Sequence, residues 1–213
     1  LFHLIKKDLL IQKRSVYLSV LLILLFSFYL TKVGTMGLLL SVLSVTYMLT
    51  LGAFAIEEKN DSNKMLVSLP IKRKTIVLSK YLSVPILALF ALFINELIHL
   101  LVHGFQLPLE TIPISPKAAL WSILASMLYG SISFPLIFKL GYLKSKMMNF
   151  LLFFLLISGG TYLFEKWANR LEMIRFFSRL SGMEMGILVI VPVFLLYFLS
   201  YLLSLSFFQK REF

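Results

Sequence analysis

The sequence predicts an all-α membrane protein. It has six transmembrane helices, an N-terminal interfacial elbow helix, a short cytoplasmic helix after the second span and an amphipathic outer helix between spans five and six. Three observations predict this. The 213 residues are 59% hydrophobic, with a mean hydropathy of +0.91 and only 15% charged, whereas soluble domains run nearer 45–50% apolar. Six apolar runs approach the ~20 residues that cross ~30 Å of hydrocarbon as a helix. None of them alternates as a barrel strand does, so helices are the spanning structure.

The elements follow in chain order. "LFHLIKKDLLIQKR" opens the chain, with Phe2, Ile5 and Leu9 at helical spacing, Lys6 and Lys13 sharing one side and Lys7 and Arg14 another. That pattern suits a helix over residues 1–15 lying in the headgroup plane. The spans are Val16–Thr31, Gly34–Ile56, Ile76–Val102, Ala118–Phe138, Met147–Phe164 and Met185–Phe208. The first is short and borrows length from its neighbours. Bulky residues in "FSFYLTKVG" at its exit give no signal-peptidase pattern, so it reads as a retained span rather than a cleaved leader. Residues 162–182 carry a stripe of Phe164, Trp167, Leu171 and Ile174 and stop at Ser181-Gly182, an amphipathic outer segment. Pro85, Pro135 and Pro192 fall inside spans, where each removes a backbone donor. There is no internal repeat and no separate soluble domain, so residues 1–213 form one membrane domain.

The net charge of +11 would suggest nucleic acid in a soluble chain. Here the cations sit between apolar runs, and no nucleic-acid partner is expected. Lys6, Lys7, Lys13, Arg14, Lys59, Lys64, Lys72, Arg73, Lys74, Lys80, Lys139, Lys144, Lys146, Lys210 and Arg211 fall on one side, and Lys32, Lys117, Lys166, Arg170, Arg175 and Arg179 on the other. The positive-inside rule places the first side, with both termini, in the cytoplasm.

The chemistry-bearing motifs are few. No G-x-x-x-x-G-K-[ST], G-x-S-x-G or H-E-x-x-H occurs, and no cysteine. The chain therefore does not cradle a nucleotide in a P-loop and has no thiolate metal site. Glu57-Glu58 resembles the paired glutamates of CAAX-type intramembrane proteases, but their arginine is replaced by Ser62 and the pair sits at a span exit. In the third span Glu96, His99 and His103 share a helix face, spaced three and four apart. Glu-x-x-His is one arm of a di-metal carboxylate site, and no second arm with His appears on the same side. A carboxylate at membrane depth normally faces protein or water. Asn95, Glu96 and His99 are accordingly read as candidate cavity residues, or Glu96 as a shallow group meeting headgroup water. An intramembrane metal-dependent enzyme using Glu96, His99 and His103 is the alternative.

"IEEKNDSNKMLVSLPIKRKTIVLSKYL", residues 56–82, interrupts the apolar pattern. Met65, Leu66 and Leu69 form the apolar side of a short helix that Pro70 ends, and a basic stretch then starts the next span. Such a projecting helix is a docking surface. Glu57-Glu58-Lys59, Met65-Leu66-Val67-Ser68-Leu69-Pro70-Ile71-Lys72-Arg73-Lys74 and Ile76-Val77-Leu78-Ser79-Lys80-Tyr81 together resemble the first cytoplasmic loop of ABC-2-type transporter permeases. The closest likeness is to the compact bacterial branch that exports, or confers immunity to, membrane-active peptides.

The resemblance covers essentially the whole chain and implies a division of labour. The permease chain catalyses nothing and holds no cofactor; ATP and Mg belong to a separate ATPase subunit. That subunit would dock on residues 57–75, with Glu57, Glu58, Met65, Leu66, Leu69, Pro70, Lys72 and Arg73 as the coupling residues. Two permease chains, identical or homologous, would pair in the bacterial cell membrane and export an amphipathic peptide or another hydrophobic substrate. A non-transporting sensor or immunity module using the same loop is a further alternative.

Overall fold

The computed structural model describes residues 2–60, 62, 65, 71–106, 108–168 and 182–210. These form seven α-helices: α1 Phe2–Ile11, α2 Lys13–Tyr29, α3 Thr35–Lys59, α4 Arg73–Gly104, α5 Pro116–Leu140, α6 Tyr142–Ala168 and α7 Gly182–Lys210. No strand occurs among the described residues. α3, α4, α5 and the Gly186–Lys210 part of α7 are long and apolar enough to cross a membrane. The α1–α2 pair, bent by 74°, supplies a fifth crossing if taken as one broken span. The sequence predicted six, and its fifth apolar run, Met147–Phe164, falls on α6.

Local chemistry fixes the helix ends. Ser115 caps α5 by accepting a hydrogen bond from the Ala118 amide at 3.1 Å, with Pro116 at the first helical position, where its missing N–H is no loss. Gly141, at φ 85°, is the whole connection between α5 and α6. Gly34, at φ 59°, turns the chain from a 3-10 turn, Thr31–Val33, into α3. Pro85, Pro135 and Pro192 sit inside α4, α5 and α7, each of which continues through its proline.

α5 is central, packing against α3, α4, α6 and α7, while α3 packs against α1, α2, α4, α5 and α6. One core cluster gathers Val42, Leu49, Ala88, Ala91 and Leu92 of α3 and α4, and a second gathers Phe54, Val77, Tyr81, Phe134, Phe138 and Phe208. Where helices meet, small residues recur. Ser79, Ser122 and Ser126 are buried, and each donates to a carbonyl three or four residues back in its own helix, which satisfies the hydroxyl and lets backbones approach. α7 instead shows Phe194, Leu195, Phe198 and Leu199 outward, as expected of a helix in hydrocarbon.

α1 departs from the pattern read in the sequence. Ile5, Asp8 and Gln12 face the bundle, whereas Leu9, Leu10 and Ile11 are exposed. Ile5 and Leu9 therefore do not share one lipid-facing stripe. Gln12 follows α1 at its junction with α2, so two of these three inward residues are polar.

Candidate functional site

Three helices each bring a polar stripe to one place. Asp8 of α1 and Gln12 at the α1–α2 junction lie inward together, and helical spacing puts Thr50 and Glu57 on one side of α3 and Lys80 and Ser83 on one side of α4. All six line two small adjoining cavities at this end of the bundle. At the centre is Lys80, whose ammonium donates to Asp8 Oδ2 at 2.8 Å and pairs with Glu57 Oε1 at 2.8 Å. Lys7 donates to the same Glu57 oxygen at 2.6 Å and lies 3.4 Å from Asp8 Oδ1. Asp8, Glu57 and Lys80 are 5%, 1% and 5% exposed. Two cations and two anions so close make the cluster neutral, the arrangement that buried charges require. The Phe54 ring adds a face 5.1 Å from the Lys80 nitrogen, within cation–π range.

Residues on either side of positions 61–70 reach other helix ends. Adjacent glutamates on a helix point about 100° apart, so Glu58 does not join Glu57. It accepts the backbone N–H of Tyr142, the first residue of α6. A carboxylate at a helix N-terminus meets both free amides and the positive end of the dipole. Arg73, opening α4, donates to the Gln209 carbonyl at 2.7 Å, the matching arrangement of a cation at the C-terminus of α7.

α4 and α7 are also clamped by hydroxyls. The single Ser200 hydroxyl hydrogen goes to the Ser131 carbonyl at 2.6 Å. Tyr81 must then donate to Ser200, and Ser204 to Tyr81, each at 2.7 Å. Tyr197 also donates to the Tyr81 backbone carbonyl at 2.6 Å.

The predicted coupling residues therefore divide. Glu57, Glu58 and Arg73 are bonded within the protein, Lys72 and Met65 are exposed, and Leu66, Leu69 and Pro70 lie outside the described residues. So do residues 169–181 of the predicted outer segment. Sequence reasoning missed Asp8 and took Lys7 and Lys80 only as orienting charges. A usable signal existed: Lys80 is a lone cation in "IVLSKYLSV", and Asp8 is the lone acid of a basic opening segment.

The other candidate cluster proves to be mostly a bracket. Asn95 is 1% exposed; it accepts from Ser27 at 2.6 Å and donates to the Ile112 carbonyl at 3.3 Å, pinning the α4–α5 connection. His99 Nδ1 is engaged by the Thr111 hydroxyl at 2.6 Å, and His103 packs edge-on against His99. Among the described residues no three His, Asp or Glu side chains converge to hold a metal, so the geometry gives no support to the metal-enzyme alternative. Glu96 differs: one carboxylate oxygen is buried without a hydrogen-bond partner.

No curated protein and no solved structure matches the chain. Residues 3–209 match the model of a family described as ABC-2 family transporter protein. With seven helices among its described residues and a family match over nearly its entire length, this chain belongs to the ABC-2 transporter family and is a multi-pass membrane permease.

Proposed function

We propose that the permease is the membrane subunit of an ATP-binding-cassette exporter, driven by a separate ATPase subunit that docks on residues 57–75. In this reading six spans cross the bacterial cytoplasmic membrane with both termini inside. α1 is the interfacial elbow, and residues 62–70 form the coupling helix. Two permease chains pair, and the substrate, an amphipathic or membrane-active peptide or another hydrophobic molecule, moves between them. The two cavities at the charged end hold about 20 and 10 Å³, room for water but not for a peptide, which favours a path between chains.

One observation carries the reading. Glu57, Glu58 and Arg73, beside the segment expected to meet the ATPase, bond to α1 and α4, to α6 and to α7. A push on that segment reaches α1, α4, α6 and α7 through charge-assisted bonds, which are about twice as strong as neutral ones. The test uses the tagged permease co-expressed with an ATP-binding-cassette ATPase subunit from the same organism. Replacing residues 62–70 with a Gly/Ser linker is expected to lower ATPase retention about tenfold or more, as losing ~1.4 kcal/mol of contact does. Retention at the wild-type level would overturn the docking.

For the substrate path, the unpartnered Glu96 oxygen favours a polar patch that meets water or cargo over a purely packed group. Glu96→Gln is expected to lower transport several-fold while leaving the yield of folded protein unchanged. Unchanged transport in reconstituted vesicles would remove Glu96 from the path.

A further inference from the structure

The larger cavity sits against the charge cluster and is lined by Asp8, Gln12, Thr50, Lys80, Ser83 and Phe54, among others. Two of these side chains have unmet bonding needs. Gln12 is 3% exposed; its amide nitrogen donates to the Asp8 carbonyl at 3.1 Å, yet its Oε1 has no hydrogen-bond partner. Thr50 is 6% exposed, and its hydroxyl has no partner either. Lys80 has three ammonium hydrogens and carboxylate oxygens for two of them. The residues that carry one free acceptor, one free hydroxyl and one spare donor therefore line a space of about 20 Å³, where a single water needs ~10–15 Å³ and two to four polar partners.

We propose that one ordered water molecule occupies the cavity between α1, α3 and α4, bonded to Gln12 Oε1, Thr50 Oγ1 and the Lys80 ammonium. A dry cavity would leave two buried polar atoms unsatisfied beside four charges, and genuinely empty cavities are apolar. A cation is a poor occupant, since Lys80 already places a positive charge on the wall. The smaller cavity, at about 10 Å³, is at the lower bound for a water and is not included. The water makes the seat of α1 a hydrated joint rather than a close-packed one, and this holds whether or not the transport reading does.

The sign of one substitution tests it. Thr50→Val keeps the shape and removes the hydroxyl. With water present, the variant deprives that water of a partner, and the unfolding midpoint of the full chain is expected to fall by about 2–4 °C. With the cavity dry, the variant relieves an unsatisfied hydroxyl, and the midpoint rises or stays; either result overturns the proposal. Ser41→Ala is the internal control, because the Ser41 hydroxyl is also buried and unpartnered but does not line this cavity; no fall is expected there. An experimental structure of the full chain in lipid, fine enough to show ordered solvent, reads the site directly. It should show density ~2.7–3.2 Å from both Gln12 Oε1 and Thr50 Oγ1, and an empty or collapsed cavity would equally overturn the assignment.

Discussion

Lys80→Met is expected to lower the unfolding midpoint by roughly 10 °C, following a loss of about 3–5 kcal/mol. The reasoning is electrostatic. The substitution removes the central cation and leaves Asp8 and Glu57, both nearly inaccessible, sharing Lys7 alone. Lys7 is itself partly in solvent, its side chain 28% exposed, and compensates incompletely. Arginine is not a substitute at this site, because its planar five-donor fork does not fit where a compact ammonium sits between two carboxylates. The cost comes from the stranded carboxylates rather than from the pair itself. Lys80→Met combined with Asp8→Asn and Glu57→Gln should therefore recover most of the loss, since neutral groups in place of a whole buried ion network are often tolerated. Thermal unfolding of the purified protein, followed by tryptophan fluorescence, measures both variants. A midpoint unchanged by Lys80→Met would mean that water, not the lysine, compensates the two acids.

Gly37→Leu is expected to cost about 1–3 kcal/mol or more by overpacking. A Cβ at position 37 would lie 2.5 Å from the Leu30 carbonyl oxygen and 2.8 Å from the Leu30 Cβ, with Ile112 Cδ1 at 3.1 Å. The nearest obstacle is backbone, which cannot swing aside, so α3 must lift away from the turn that precedes it. The displacement also presses on Ile112, whose carbonyl is held by Asn95, and the α4–α5 connection should loosen with it. Gly186→Ala on α7 serves as the comparison, because a Cβ there meets no atom within 4 Å. That variant should gain up to ~1 kcal/mol from helix propensity. If the two substitutions shift the midpoint equally, the close approach at Gly37 is not a constraint.

The helices themselves were legible because lipid demands long apolar runs and a helix closes its own hydrogen bonds. Their lengths were less so. The apolar run Ile76–Val102 became Arg73–Gly104, and Ala118–Phe138 became Pro116–Leu140. A helix continues to its cap or its glycine, not to the last greasy residue, which is why Ser115 and Gly141 mark the true ends of α5. The site was legible only at its flanks. The pairing of Glu57 and Glu58 stood out, but direction did not: a charge count treats Lys80 on the rim and Lys80 in the core alike. Asn95 looked like a cavity residue because polar atoms in a span attract a functional reading. Its actual partners, Ser27 and the Ile112 carbonyl, are 68 and 17 residues away, a proximity that periodicity on a single helix cannot reveal.

The charge cluster has a consequence for how the protein is made. All four of its charged groups come from the first 80 residues. Chains are synthesised from the N-terminus at ~5–20 residues per second and fold in that order. When the ribosome delivers Lys80, Asp8 and Glu57 already exist, so the lysine enters the membrane to meet counter-ions rather than the ~2.5–3.5 kcal/mol cost of inserting alone. Tyr81 and Arg73 have the opposite history. Their partners Ser200, Ser204 and Gln209 are translated more than a hundred residues later. The first 80 residues thus have their charges matched before the rest is made, and α7 arrives last to dock on Tyr81 and Arg73.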